Sequence, residues 1–271
     1  MSRFSIEEIR REVITRGITA QISGSTLWRW LNADAIRPWT YRSWIFPRDP
    51  AFEEKASRIL DLYDGFWNGR PLGQKDYMLS ADEKTSIQAR IRKHQTLEPL
   101  PDTPTKVEHE YQRGSSFTYM AAWDIRREKI FGHIEKKSGI IACSHLVDQV
   151  MNQEPYRSES RVFWVVDNGS SHRGVPAINR LQKSWPNAIM VHLPVHASWL
   201  NQIEIYFLVI QRKVLTPNDS KSLADIKDRL LKFQEHYERV ATPFEWKFTR
   251  KDLANLMREL SNLFMSMKKA A

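Results

Sequence analysis

A mixed-sheet α/β domain, flanked by helices and preceded by a small all-α segment, is the fold class this sequence predicts. Short apolar runs over 117–123, 162–166 and 188–193 have the length of buried strands, and stretches of helical periodicity separate the later ones. The run at 117–123 and the next at 129–134 are joined by the turn 124–128, so an antiparallel hairpin comes before strands and helices begin to alternate. The first 45 residues, by contrast, read as small helices.

Each element has a local reason. Ser5 can cap a helix, Glu8 completes a capping box, and Ile6, Ile9 and Val13 supply an apolar stripe until Gly17 ends it. After a short helical piece over 18–22, Ser23-Gly24-Ser25-Thr26 opens a helix through Leu27 and Leu31 to about residue 35. Helix, short helix, turn and helix is the order of a helix-turn-helix, whose last helix enters the major groove. Ser25, Thr26 and Arg29 would then be the exposed readers, with Leu27 and Leu31 packing inward. A helical bundle with no DNA role has the same pattern. Residues 36–50, rich in Pro, Arg and Trp, form a connection in which Arg42 and Arg48 suit a phosphate backbone; such a run can also simply clamp two domains. Asp49 as N-cap and Pro50 at the first helical position start a helix to about residue 66, and 69–73 breaks it. An apolar strand then ends at Asp82, and a Pro-rich connection over 98–104 leads to the hairpin. Helices are expected over 140–152, 174–185, 200–215, 222–240 and 251–268. The domains are therefore 1–45, helix-turn-helix; 46–74, linker and connecting helix; and 75–271, the α/β domain.

The 271 residues suffice for one sizeable domain and a small appendage. With 41 Lys+Arg against 32 Asp+Glu, a formal charge of +9, the chain favours a polyanionic partner. One cysteine, Cys143, excludes an internal disulfide and fits a reducing cytosol. No run approaches the length of a membrane span. The eight histidines show no His-x-x-x-His spacing, and neither a glycine-rich phosphate loop nor Gly-x-Ser-x-Gly occurs, so ATP use and acyl transfer find no support.

Three acids carry the chemistry. Asp82 and Asp167 each follow an apolar strand, where α/β sheets place ligands. Glu204 has Leu200, Phe207 and Leu208 at helical spacing, and a carboxylate beside an apolar stripe needs a partner or a cation. A salt bridge to Arg212 or Lys213 would satisfy it equally well. Asp124 also follows a strand but begins a tight turn, where Asp is common. Asn168, His172 and His196 sit beside the proposed acids and are candidates to touch the metal's outer shell or DNA.

Three stretches, 80–89 around Asp82, 165–172 around Asp167 and 196–204 ending in Glu204, resemble the DDE transposases of bacterial insertion sequences in the mariner superfamily, as do 25–31 and 42–48. Asp167 and Glu204 are 37 positions apart, which fits that family's short second interval. The resemblance implies a ribonuclease-H-like fold, with Asp82, Asp167 and Glu204 as the catalytic metal-binding triad. It implies Mg²⁺ as cofactor, with Mn²⁺ able to substitute and two ions expected. The partners it implies are double-stranded DNA, as inverted repeats and target, and a second copy of the chain in a homodimer. The expected location is the bacterial cytoplasm, at the nucleoid. Relatives usually carry two helix-turn-helix units, and only what looks like the second is expected here. The alternative is therefore a catalytically silent or truncated derivative that acts only as a DNA-binding protein, and a nuclease that cuts without joining is a further rival.

Overall fold

The computed structural model describes residues 5–33, 46–158, 161–240 and 244–270. They fall into two compact units, Met1–Phe46 and Pro47–Ala271.

In the first unit, α1 (Ile6–Thr15) begins with the predicted capping box: Ser5 Oγ accepts the Glu8 N–H, and the Glu8 carboxylate accepts the Ser5 N–H. The second helix, α2 (Gly24–Ala33), is capped by Ser23, whose Oγ accepts the Thr26 N–H at 3.1 Å. The short helix expected over 18–22 is not formed. Gly17 takes the left-handed conformation (φ +68°), Ile18 is exposed, and the chain crosses to α2 without helical bonding. The link is thus longer than the three- to four-residue turn of a tight helix-turn-helix.

The second unit is built on a five-stranded sheet. Its helix α3 (Phe52–Tyr63) starts later than expected. Asp49 caps the turn before it, accepting the Ala51 N–H at 2.9 Å and pairing with Lys55 at 2.8 Å. A two-residue hairpin, β1 (Phe66–Trp67) with β2 (Arg70–Pro71), fills the predicted break. Then follow β3 (Asp76–Ile91), β4 (Gln112–Asp124), β5 (Lys129–Glu135), α4 (Ile140–Met151), β6 (Arg161–Val166), α5 (Gly174–Ser184) and β7 (Ala188–His192). A 3₁₀ turn at Ser198–Leu200 precedes α6 (Ile203–Lys213), and α7 (Leu223–Val240) and α8 (Arg250–Ala270) follow. The expected helix over 200–215 is therefore shorter and begins only at Ile203.

Strand order is β5-β4-β3-β6-β7, with β3, β4 and β5 antiparallel and β3, β6 and β7 parallel. The strand expected to end at Asp82 runs nine residues further, because β4 continues beside it: Asp82 faces Ala121, and pairing extends to Ile91 with Gln112. What ends near Asp82 is the parallel partner. The last β3–β6 pair is Ser80 with Val165, two residues short of Asp82.

Strand alternation sorts the core. Leu79, Ala81, Met120, Ala122, Phe131, Val162, Trp164 and Val166 point to one face, under α4 and α5. On the other face, Phe163 and Val165 meet α3 and α8, and Tyr119, Ala121, Trp123 and Ile130 meet α6 and α7. Each fully buried large apolar side chain contributes about 1.5–3 kcal/mol, so the sheet is a rigid base for whatever projects from its carboxyl end.

Candidate active site

That end gathers the acids. Asp167 directly follows β6 in a loop. Its Oδ1 accepts the Gly169 N–H at 2.7 Å and also meets His172 Nε2, so both contacts fall on one oxygen. The approach is tight: a Cβ at Gly169 would sit 2.9 Å from both Asp167 Oδ1 and His172 Nε2, so only glycine fits.

Asp82 projects from β3 towards α6, with Ser80 two residues earlier on the same face. Ser80 is buried; its hydroxyl donates to Asn201 Oδ1 and accepts the Ile203 N–H at 2.8 Å. Asn201, 1% exposed, donates from Nδ2 to the Ala81 carbonyl at 3.0 Å and towards Asp82 Oδ2 at 3.4 Å. This buried knot ties the start of α6 to β3, and Tyr63 adds a bond to the Leu200 carbonyl at 2.8 Å. Glu204 lies in the first turn of α6, half-buried. Among the described residues no cation pairs with it within 4 Å, so the anticipated bridge to Arg212 or Lys213 is not made. Leu200 lies outside the helix and Leu208 is exposed, so the buried apolar neighbour of Glu204 at helical spacing on α6 is Phe207.

The three acids share one electrostatic neighbourhood. Burial pushes the Asp82 carboxyl up to about 7, and the charges of Asp167 and Glu204 add to the rise. Burial likewise raises Glu204, helped by Asp167 and opposed by the nearby Lys84 ammonium. Asp167 goes the other way: the hydrogen bond from His172 holds it below the ordinary carboxylate range. Burial alone would depress His172, yet its contacts with Asp167 and Cys143 raise it to about 10, so the imidazole is a cation beside Asp167. The acids nonetheless form no closed cage, since their oxygens do not all lie within 4.8 Å of one another.

The donor set suits a hard cation. Asp82 and Glu204 are costly to ionise unaided, and Glu83 Oε2 is buried with no hydrogen-bond partner. A divalent ion would compensate Asp82 and Glu204.

Other candidates separate. His172, 3% exposed, is in direct contact with Asp167, whereas Asn168 spends its amide on the Leu193 carbonyl at 2.7 Å and braces β6 against β7. His196 is exposed in a left-handed loop conformation (φ +61°), and no hydrogen bond among the described residues links it to the acids. Asp124 is wholly structural: it is 0% exposed, its Oδ1 accepts the N–H groups of Arg126 and Arg127 at 3.0 Å, and its Oδ2 accepts the Tyr156 hydroxyl at 2.6 Å. In the first unit, Ser25 and Arg29 are exposed on α2, one turn apart, and Thr26 is half-buried with its hydroxyl 2.8 Å from Ser23. Arg48 is exposed, and Arg42 lies outside the described residues. Sequence reasoning missed Ser80, Asn201, Glu83 and His192, the last of which also lowers Asp167. Strand alternation from Asp82 points to Ser80 alone.

The sheet order, with Asp167 directly after β6 and Asp82 just past the β3–β6 pairing, defines an α/β domain of the ribonuclease-H-like class. The chain belongs to the DDE superfamily endonuclease family, whose model matches residues 78–227. Solved structures agree on the fold. A Mos1 mariner paired-end complex with Mn matches with a TM-score of 0.50 and 12% identity, over 88% of this chain and 75% of that one. A Mos1 transposase paired-end complex with the left transposon end gives 0.53 and 11%, over 94% and 76%. The Mos1 strand transfer complex gives 0.51 and 12%, over 96% and 76%. No curated protein matches the chain. Among the described residues no helix is long and apolar enough to cross a membrane.

Proposed function

We propose that this chain is a DNA transposase that cleaves the ends of a bacterial insertion element and joins the freed 3′-hydroxyl to target DNA. The observation that carries this reading is that Asp82, Asp167 and Glu204, from three separate stretches of a DDE-family domain, act on one another's ionisation at the carboxyl end of the sheet. The net charge of +9 favours a DNA partner. The structurally similar Mos1 proteins are in paired-end and strand-transfer complexes, which supports a homodimer holding two ends together.

Asp82, Asp167 and Glu204 would hold Mg²⁺ or Mn²⁺. Two such ions, when bound, would activate an oxygen nucleophile and stabilise the charge on the phosphate during in-line displacement. The chain's own residues prepare that arrangement. His172 and Gly169 fix Asp167 through Oδ1 and leave Oδ2 clear of both. Asp82 must release its proton when the site is loaded near neutral pH. The Ser80–Asn201 knot sets the position of Glu204, and Lys84 brings positive charge beside it. Cleavage and joining are both attacks by oxygen on a phosphodiester, so one site serves both with no covalent protein–DNA intermediate.

The test is a Mg²⁺-dependent cleavage and strand-transfer assay on DNA carrying the element's ends, with Glu204→Ala in parallel. Joined products that disappear in the variant support the reading. Tight DNA binding with no cutting, in Mg²⁺ or Mn²⁺, would overturn it in favour of a DNA-binding derivative. Cutting without joining would overturn it in favour of a nuclease.

A further inference from the structure

On the face of the sheet under α4, well away in sequence from the three acids, β5 carries His133 and Glu135 two residues apart. Strand alternation points them to the same side as the buried Phe131. His145, on the second turn of α4, stands over them. One ligand atom from each of the three lies within 4.8 Å of the other two, and among the described residues no other trio of His, Cys, Asp or Glu does this. We propose that His133, Glu135 and His145 form a transition-metal site, with Zn²⁺ the ion its chemistry favours.

Two imidazoles and one carboxylate are a donor set that Zn²⁺ accepts, with a fourth position open to water. Ligands about 2.0–2.1 Å from a tetrahedral ion are about 3.3 Å from each other. His133 Nε2 is already 3.2 Å from Glu135 Oε1, and His145 Nδ1, at 2.6 Å from the same oxygen, needs only to open slightly. The ring orientation of His133 is the second, independent observation. Its Nδ1 donates to Gln149 Oε1 at 3.0 Å, and the amide is oriented by its own Nε2 donating to the Gly132 carbonyl at 3.3 Å. In the neutral imidazole Nε2 therefore carries the lone pair. It is buried, makes no hydrogen bond, and faces a carboxylate oxygen. A lone pair aimed at a carboxylate is unfavourable unless a proton or a metal cation sits between them, and with His145 Nδ1 on the same carboxylate oxygen the place is shaped for a metal. Gln149 plays the part that an outer hydrogen-bond partner plays for metal-bound histidines, fixing the tautomer. The ion would clip the edge strand β5 to α4, and it differs in ligand chemistry from the all-carboxylate set at Asp82, Asp167 and Glu204.

The experiment is titration of chelator-treated full-length protein with Co²⁺ as a spectroscopic stand-in for Zn²⁺. The expected result is one equivalent showing the intense visible d–d bands of a four-coordinate, imidazole-ligated ion, displaced by Zn²⁺. His145→Ala, at an exposed position, should abolish the bands with an unchanged far-UV circular dichroism spectrum. Asp167→Asn should leave them intact. Gln149→Ala should weaken binding by about 10- to 100-fold. Absence of the bands overturns the proposal, and so does their survival in His145→Ala. Their loss in Asp167→Asn would assign the ion to the carboxylates and overturn it as well.

Discussion

The knot between β3 and α6 gives the sharpest test of how this site is held. Ser80 is 0% exposed and Asn201 1%, and the serine hydroxyl both donates to the Asn201 carbonyl oxygen and accepts the Ile203 N–H at 2.8 Å. In Ser80→Ala the Asn201 Oδ1 and the Ile203 N–H both lose their partner in a water-free place. Each orphaned group costs about 1–3 kcal/mol, so the substitution should cost about 2–4 kcal/mol, allowing for partial relaxation. In Asn201→Ala the serine hydroxyl is left without its acceptor, and the bond to the Ala81 carbonyl at 3.0 Å is lost too, for a similar cost. Once either partner is gone, removing the other orphans less. The double variant should therefore cost less than the sum of the singles, by about 1–3 kcal/mol. Urea unfolding of the four proteins measures this cycle. Metal-dependent cleavage should fall in both singles as well, because a displacement of about 1 Å at a reacting group can cost about 100-fold. Additivity within about 0.5 kcal/mol would refute the argument, since it would mean that the two side chains do not depend on each other.

Gly169→Ala should lower metal-dependent cleavage at least about 10-fold, because the added methyl wedges Asp167 from His172; unchanged cleavage would show that this contact does not matter. Asp167→Asn should abolish cleavage and leave DNA affinity equal or higher, read by gel shift, and parallel loss of binding would indicate a structural role instead. Asp76 is buried and paired with Arg161 at 2.6 Å, and that bond holds its carboxyl below the ordinary value. A depressed folded pKa stabilises above the unfolded value of about 3.9 and is lost as pH falls through the folded one. The stability gap between the parent and Asp76→Asn should thus be flat above about pH 5 and close in stronger acid; a gap that persists there would contradict the pairing.

Periodicity and turn chemistry made most of the architecture readable. The Val162–Val166 run is a strand buried on both faces, and the capping box at Ser5 forms as written. Reading failed where a neighbour decides. In 83–91 (Glu-Lys-Thr-Ser-Ile-Gln-Ala-Arg-Ile) only the alternation from Ser86 to Ile91 hints at a strand, and nothing local joins it to the apolar run before Asp82; β4 does, by pairing along both. The 18–22 piece is too short to form a helix without a partner to bury it, and Ile18 is exposed. Within the site, Asp167 and Glu204 were visible because a strand end and a helix face are periodic features. Asn201 and Glu83 were not, because their roles come from contacts about 120 residues apart in sequence or from a face shared with His172. Asp124 shows the converse. It has the same strand-then-acid signature as Asp167, and only its three donors reveal it as a structural anchor.

The difference between those two aspartates separates a structural anchor from a proposed metal ligand. Asp124 is burdened by burial, but both of its oxygens are already engaged by neutral donors, two backbone N–H groups and a tyrosine hydroxyl. A cation would have to displace those bonds for little gain. Asp167 has both of its contacts on one oxygen, while its neighbour Asp82 is pushed up to about 7 by burial and by Asp167 itself. In such a cluster the unpaired lone pairs and the raised pKa are two expressions of one deficit of positive charge, which a divalent ion fills. Affinity for the ion should follow that deficit. Removing the partly relieving charge of His172, as in His172→Gln, takes away a competitor for Asp167 but also the brace that orients it. Loss of metal binding in that variant would rank orientation above charge, and a gain would rank charge above orientation.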